Sequence, residues 1–312
     1  MTASRFVCIV LLGTAASTGA LCATSARLYW TDRGAGTIQR VDLNGGNLET
    51  LVTGLLEPRG IALDPQGGMM YWTDHDTGKI QRATLDGENI EDLVTGLELP
   101  RHLALDVAGG KIYWTNNKKV QRSDLDGANV EDLVVDVPNP EGIALDLIEG
   151  KIYWGTIILP VGSDNIKRSD LDGSNVEVVI DPTPNPTGMD LDLQSGYIYW
   201  TAQHSPATIG RATLEGEDVE DFLDGLIAPR DIVLDLEDGV MYWSDGTLIR
   251  RAGLDTLSVV DLVSGLDTPA GIALDPGSPG DPVPAASPGG ALVGLAVLLL
   301  LGALLVARRR PV

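Results

Sequence analysis

Three arginines with a shared local context are the residues of this sequence best suited to bind a ligand. Each follows a proline, in the segments Glu57-Pro58-Arg59, Leu99-Pro100-Arg101 and Ala228-Pro229-Arg230. A guanidinium group presents a planar fork of donors that pairs bidentately with a carboxylate or a phosphate. The arginines therefore predict a site for an anionic ligand. The alternative is that each arginine pairs with a neighbouring carboxylate and binds nothing.

Other candidate ligand-binding residues lie in comparable segments. They are His75, His102, His204, Glu141 and Leu159. Imidazole changes its charge near neutral pH, so the histidines could respond to acid, and solvent-facing histidines without a role are the alternative. Leu159 belongs to an apolar run of five residues, 157–161, which is either an exposed contact site or a segment that packs over its own sheet.

Sequence patterns typical of enzymes are mostly missing. The chain has no Gly-x-Ser-x-Gly elbow, no phosphate-binding loop and no pair of histidines at metal-ligand spacing. Asp190 stands where comparable segments carry a small residue, so it is a candidate metal ligand without assigned partners. We expect no catalytic residue and no cofactor. A metal-dependent lactonase or lyase that uses Asp190 together with Glu141 is the alternative.

The elements that must position these residues are six copies of one unit. Six Tyr-Trp pairs, 40–46 residues apart, include every tryptophan of the chain. The pairs are Tyr29-Trp30, Tyr71-Trp72, Tyr113-Trp114, Tyr153-Trp154, Tyr199-Trp200 and Tyr242-Trp243. A repeat of about 40–45 residues with one aromatic pair is typical of a β-propeller blade.

Each unit contains four runs with the composition of short strands. In the second unit these runs are Gly60–Asp64, Met69–Asp74, Lys79–Ala83 and Ile90–Val94. The first unit lacks the first run, which recurs by itself at the end of the repeats as Ile272–Asp275. We therefore predict an all-β fold, a single six-bladed propeller closed by pairing of the C-terminal strand with the N-terminal blade.

The predicted ring brings the arginines together. In a propeller, the loops that lead into each first strand gather on one face. Arg59, Arg101 and Arg230 would then surround the mouth of the central channel, with Glu141 at an equivalent position. We call this surface the loop face.

The residues after the aromatic pairs give the chain a resemblance to a known family. Tyr29–Asp32 and Tyr71–Asp74 read YWTD, as in the class B repeats of the low-density lipoprotein receptor. The resemblance covers all six units and implies a six-bladed propeller with the motif on the second strand of each blade. It also implies that the motif aspartate ties neighbouring blades. Asn116, Gly155 and Ala202 depart from the motif in blades three to five, where we expect altered ties.

The same resemblance suggests a role for the histidines. The receptor's propeller takes part in ligand release at low pH, which implies an acid-triggered switch at His75, His102 and His204.

The two ends of the chain predict export and attachment to a membrane. The predicted segments are a signal peptide at 1–26, the propeller at 27–276, a Pro/Gly-rich linker at 277–290, a transmembrane helix at 291–307 and a basic cytoplasmic tail at 308–312. The tail resembles a bacterial sorting tail of the PEP-CTERM type, so a permanent anchor and a processed signal both stay open. Both cysteines, Cys8 and Cys22, fall in the signal peptide.

The charge of the chain limits its partners. The formal net charge of −22 disfavours nucleic acid and anionic lipid, and it suits a solvated acidic coat or cationic ligands. Together these features predict an exported, membrane-tethered, receptor-like binding module. Its loop face would bind a protein or another ligand at the cell envelope, in the bacterial periplasm or on the cell surface. A structural or adhesion spacer without a specific ligand is the alternative, and the oligomeric state stays open.

Overall fold

The computed structural model of the protein describes residues 26–158 and 164–277, and these residues form 24 β-strands. The strands make six antiparallel sheets of four strands each, which are the predicted blades. β-Branched and aromatic side chains favour this extended backbone, and turns such as Asp86-Gly87 reverse it because Gly87 adopts a positive φ of 80°.

The blades follow one another along the chain. Blade one contains β1 (Arg27–Asp32), β2 (Thr37–Asp42), β3 (Glu49–Thr53) and β24 (Pro269–Asp275). Blade two contains β4 (Pro58–Asp64), β5 (Met69–Asp74), β6 (Lys79–Thr84) and β7 (Glu91–Thr95). Blade three contains β8 (Leu103–Asp106), β9 (Lys111–Asn116), β10 (Lys119–Asp124) and β11 (Glu131–Val134).

The second half of the ring repeats this order. Blade four contains β12 (Pro140–Asp146), β13 (Lys151–Thr156), β14 (Asn165–Asp170) and β15 (Glu177–Ile180). Blade five contains β16 (Pro186–Asp192), β17 (Tyr197–Ala202), β18 (Ala207–Thr213) and β19 (Glu220–Leu226). Blade six contains β20 (Pro229–Asp235), β21 (Val240–Asp245), β22 (Leu248–Gly253) and β23 (Val260–Ser264). The inner strands, which surround the central axis, are β24, β4, β8, β12, β16 and β20.

The predicted closure of the ring is confirmed. The last strand, β24, pairs antiparallel with β1, with Leu274 opposite Leu28 and Ile272 opposite Trp30. One blade is thereby built from both ends of the repeat region, and the sheets are arranged without a free end of the ring. Closure removes the unpaired edges through which open sheets associate.

The motif tryptophans are wedged between neighbouring blades. Trp72 of blade two is fully buried, and its cluster includes Tyr29, Ile38 and Val52 of blade one. Equivalent clusters join the other blades, so the core is a ring of six interfaces. Burial of this apolar surface holds the blades together.

Arginines on the third strands add a second link between blades. Five of them donate from Nη1 to a backbone carbonyl in the next blade, over 2.9–3.3 Å. The pairs are Arg40 with Leu85, Arg82 with Leu125, Arg122 with Leu171, Arg168 with Leu214 and Arg251 with Leu43. In blade five, Arg211 instead lies over the rings of Tyr197, Tyr199 and Phe222.

The motif aspartates tie blades in the way that the resemblance implied. Asp32 accepts hydrogen bonds from the amides of Asp267 and Thr268, in the loop that arrives from blade six. Asp74 and Asp245 accept amides of the loops that enter their own blades in the same manner. A single carboxylate therefore fixes the path of the chain from one blade into the next.

Other residues replace the aspartate where the motif departs. Asn139 and Asn185 donate from their side chains to the carbonyls of Ile157 and Gln203, which reverses the direction of the hydrogen bond. Asp164 also accepts the amides of Ile158 and Asn185. In blades four and five, asparagine side chains therefore make the hydrogen bonds that the motif aspartate makes in other blades.

The predicted fold class is corrected in one part, since the elements of the described residues do not include a C-terminal transmembrane helix. The regular elements of residues 26–158 and 164–277 are strands, and within these ranges no helix is long and apolar enough to cross a membrane. The segment 291–307 was assigned to the membrane because of its apolar composition, and it lies outside the described residues. Residues 1–25 of the predicted signal peptide, residues 278–290 of the linker and the tail at 308–312 also lie outside them.

Candidate ligand-binding site at the loop face

The candidate arginines occupy one structural position in different blades. Arg59, Arg101 and Arg230 are each the second residue of the inner-strand repeat that begins with proline, and Glu141 is its counterpart in blade four. The ladder between first and second strands skips this residue, for example between Pro58 and Ile61. Such a bulge turns a side chain out of the regular pleat.

Motif threonines fix the backbone at this position. The Thr201 hydroxyl accepts the Gly188 amide of its own blade and donates to the Arg230 carbonyl of the next blade at 2.9 Å. Thr115 makes the same bond to the Glu141 carbonyl at 2.5 Å. Thr31 and Thr73 bond the carbonyls of Arg59 and Arg101. These repeated hydrogen bonds therefore place all four charged residues at one level of the ring.

Most of these charges are paired within the loop face. Arg59 donates from Nη2 to Glu57 Oε1 at 2.8 Å, and Arg33 Nη1 lies 3.5 Å from the same oxygen. Arg101 forms an ion pair with Glu141 of the neighbouring blade. The alternative stated above, that arginines pair with nearby carboxylates, therefore describes Arg59 and Arg101.

Arg230 differs, because its guanidinium makes no hydrogen bond or ion pair within the described residues. Its Nε is buried without a partner. Burial, followed by repulsion from Arg33 and Arg59, lowers the pKa of Arg230 to about 10. The group stays protonated at neutral pH, so an unpaired cation is held beside two others. An anionic group of a ligand would satisfy its donors.

The histidines do not form an exposed set. Burial lowers the pKa of His75, and it lowers the pKa of His102 to about 3, with Arg59 adding to both shifts. These two side chains are only 12% and 15% exposed. His204 is half-buried, and its Nδ1 makes no hydrogen bond. The lowered pKa values move protonation of His75 and His102 to a lower pH than that of a free imidazole, which disfavours the predicted acid-triggered switch at these two residues.

His102 lies inside the channel wall below the arginines. The third residue of each inner-strand repeat is glycine in four blades and is His102 in blade three and Asp231 in blade six. Glycine is needed because adjacent inner strands almost touch: a Cβ at Gly271 would lie 2.2 Å from the Arg59 carbonyl oxygen. His102 and Asp231 come from opposite blades, and His102 Nδ1 lies 3.8 Å from Asp231 Oδ1.

A cavity of about 300 Å³ lies along the channel below this pair, and its wall is otherwise mainly apolar. Asp190 and Asp231 both line it, and both carboxylates accept backbone amides of the strand they sit on and of the next blade. Burial raises the pKa of Asp231 to about 8 and that of Asp190 to about 6. Asp190 is therefore an enclosed carboxylate in the wall of the channel.

The possible metal ligands do not gather where the sequence suggested. Glu141 is engaged by Arg101 at the loop face, whereas Asp190 lies deeper in the channel. Within the described residues, the one group with ligand atoms close enough for a shared ion is Glu57, His75 and Asp76.

Sequence reasoning missed Asp231, Arg33 and Glu57. Alignment of the six inner-strand repeats would have revealed Asp231, because it replaces a glycine as Asp190 replaces an alanine. Arg33 and Glu57 lie in loops outside the inner-strand repeats, so an alignment of those repeats would not have revealed them. Leu159 lies outside the described residues, so its predicted contact role stays a prediction.

Comparisons with known proteins support the propeller fold, and a family model matches one of the six repeats. Residues 26–65 match the family model described as low-density lipoprotein receptor repeat class B. The structure resembles a chain of the crystal structure of the nidogen/laminin complex, with a TM-score of 0.71 at 20% identity, over 80% of this chain and 98% of that one. No curated protein matches the sequence significantly.

Two bacterial structures share the fold at lower identity. TolB from Acinetobacter baumannii matches with a TM-score of 0.66 at 13% identity, over 80% of this chain and 66% of that chain. A gluconolactonase from Xanthomonas campestris matches with a TM-score of 0.62 at 16% identity, over 80% and 90%. At these identities the likeness concerns the fold alone. The closed ring makes the protein a six-bladed β-propeller, and its first repeat matches the low-density lipoprotein receptor class B family model.

Proposed function

We propose that the protein is an exported binding module whose loop face binds an acidic segment of a partner protein at the cell envelope. The proposal rests on one observation above all: Arg230 is a largely buried guanidinium without a partner in the described residues, beside Arg59 and Arg33. Buried polar groups are normally satisfied, so an unsatisfied cation at a channel mouth favours a ligand that supplies the missing acceptor.

The charge of the protein and its fold similarity both support an acidic protein segment as the ligand. The protein as a whole carries a net charge of −22, so a local excess of arginine contrasts with the rest of the surface. The surrounding carboxylates of Glu57 and Glu141 already pair with Arg59 and Arg101. A ligand carboxylate would therefore be directed to Arg230. The fold similarity to the nidogen chain, which was solved in complex with laminin, is consistent with protein binding.

Export extends this proposal beyond the described residues. The apolar N-terminal segment favours a folded domain outside the cytoplasm. The likeness to a gluconolactonase carries no activity to this chain, since it concerns the fold, and no observation at Asp190 favours a lactonase.

The experiment is a comparison of matched charge variants. The wild type and the triple variant Arg59→Ala, Arg101→Ala, Arg230→Ala are used as bait for native envelope proteins. A control with the same change of charge replaces Lys111, Lys119 and Lys151, which pair with aspartates of their own blades. We expect the arginine variant to lose a partner that the wild type and the lysine variant both capture. Equal capture by all three proteins would contradict a role for the arginines.

A further inference from the structure

The loop face of blade two brings an imidazole and two carboxylates together. His75 Nδ1 lies 3.1 Å from Glu57 Oε2 and 3.1 Å from Asp76 Oδ1. One ligand atom from each of the three residues lies within 4.8 Å of the other two. The three ligand atoms are therefore close enough to one another to share a single ion.

Two backbone contacts hold this geometry in place. The His75 amide donates to the Glu57 carbonyl at 2.9 Å, and Asp74 accepts the Leu56 amide at 3.0 Å. These bonds join the loop that enters blade two to the loop that follows its motif. The candidate ligands are therefore positioned by the same ties that assemble the propeller.

The arginines orient one of the ligands. Glu57 Oε1 accepts from Arg59 and lies near Arg33, so Oε2 is the oxygen that turns towards His75. Residues that hold the outer oxygen of a metal-bound carboxylate fix its orientation and are a regular part of metal sites.

Blade two is the blade in which the required residue types meet. The counterparts of His75, identified by the same backbone hydrogen bond, are Arg33, Asn117, Ile157, Gln203 and Gly246. None of them is an imidazole, and none belongs to another such group within the described residues. The cluster is thus a local addition to the repeat.

We propose that Glu57, His75 and Asp76 bind one divalent transition-metal ion, with Zn²⁺ as the best fit. An imidazole nitrogen favours zinc and its neighbours in the first transition series over Mg²⁺ and Ca²⁺, which prefer oxygen ligands alone. Three protein ligands leave a further position of a tetrahedral Zn²⁺ open to solvent or to an outside carboxylate.

The side-chain chemistry of the three residues suits this site. A neutral imidazole binds a metal through one ring nitrogen and carries its proton on the other, so Nδ1 of His75 would face the ion and Nε2 would hold the proton. Glu57 and Asp76 would each supply one carboxylate oxygen. The proposal is independent of the partner protein suggested above.

The test is a zinc titration of the full chain. The protein is alkylated at Cys8 and Cys22, stripped of metal with a chelator and titrated with ZnCl₂ by isothermal titration calorimetry. We expect one site for each chain, with MgCl₂ and CaCl₂ unable to compete at equal concentration. His75→Ala and Asp76→Asn should each weaken binding at least 10-fold, as expected for loss of a contact to the metal.

Matched controls separate this site from general binding to an acidic protein. His204→Ala removes another loop-face histidine, and Asp126→Asn removes an exposed turn carboxylate; both should bind Zn²⁺ like the wild type. Asp76 is exposed, so Asp76→Asn retains the fold even if His75→Ala does not, and thermal unfolding checks both. Absence of binding to the wild type would overturn the proposal, as would unchanged binding by Asp76→Asn.

Discussion

Arg251 donates from Nη1 to the carbonyl oxygen of Leu43 at 3.0 Å, and this bond joins the sixth blade to the first. The same contact links four other pairs of neighbouring blades. The seam where the ring closes is therefore built like an ordinary blade interface, with the pairing of β24 and β1 added beside it.

Replacement of Arg251 by alanine should destabilise the protein by about 1.5–3 kcal/mol, the range for hydrogen bonds that involve a charged group. The free energy of unfolding, measured by urea denaturation, checks this expectation. Lys119→Ala is the control, because Lys119 pairs with Asp132 on the surface and bonds no other blade. Equal stability of the two variants would show that the arginine links contribute nothing.

The Trp72→Ala variant should lose about 3–5 kcal/mol of stability, because it leaves a cavity between blades one and two. Trp72 is fully buried in a cluster with residues of both blades, and its Nε1 donates to Gln81 Oε1 at 3.1 Å. Chemical denaturation measures the loss. Leu56→Ala serves as the control, since Leu56 is 65% exposed. If the Trp72 variant were as stable as this control, packing of Trp72 between blades one and two would not stabilise the fold.

The His102–Asp231 pair should make stability depend on pH. Burial raises the pKa of Asp231 from 3.8 to about 8 and lowers that of His102 from 6.5 to about 3. Between pH 3.8 and 6.5, folded and unfolded forms each hold one proton on these two residues, so the effects cancel. Between pH 6.5 and 8 only the folded form keeps its proton, and stability falls as pH rises, by at most about 1.4 kcal/mol for each pH unit.

Asp231→Asn should abolish this alkaline decline, whatever its absolute stability. Urea denaturation of the wild type and the variant at pH 5.5, 6.5 and 8 gives the two slopes. The exposed substitution Asp126→Asn should retain the slope of the wild type. Parallel slopes for the wild type and Asp231→Asn would mean that Asp231 is ionised in the folded protein.

Arg230→Gln should stabilise the folded protein slightly, by roughly 0.5–1 kcal/mol, while it weakens capture of the proposed partner. The guanidinium is repelled by Arg33 and Arg59 and has no partner within the described residues, so its removal relieves an unfavourable charge. Thermal unfolding at low ionic strength measures the effect, which added salt should reduce. Arg59→Gln is the contrasting control, because Arg59 pairs with Glu57. A destabilised Arg230→Gln protein would indicate a structural role.

The repeat itself made the fold predictable. The Tyr-Trp pairs set the number of blades, and the isolated run Ile272–Asp275 indicated closure, because each pattern is local and periodic. The pairing of Arg101 with Glu141 was left open, since sequence places both at one level of the ring but does not show how their side chains turn. The exchange of the motif aspartate for Asn139 and Asn185 was also missed, because the substitutes lie on the partner loop and reverse the hydrogen bond.

The meeting of His102 and Asp231 across the axis means that two side chains cross the bore of the ring. The four other residues at their level are glycines in strands that almost touch, so this pair occupies the narrowest level of the channel. A ligand that enters the channel past Arg230 would meet these two side chains before it met Asp190.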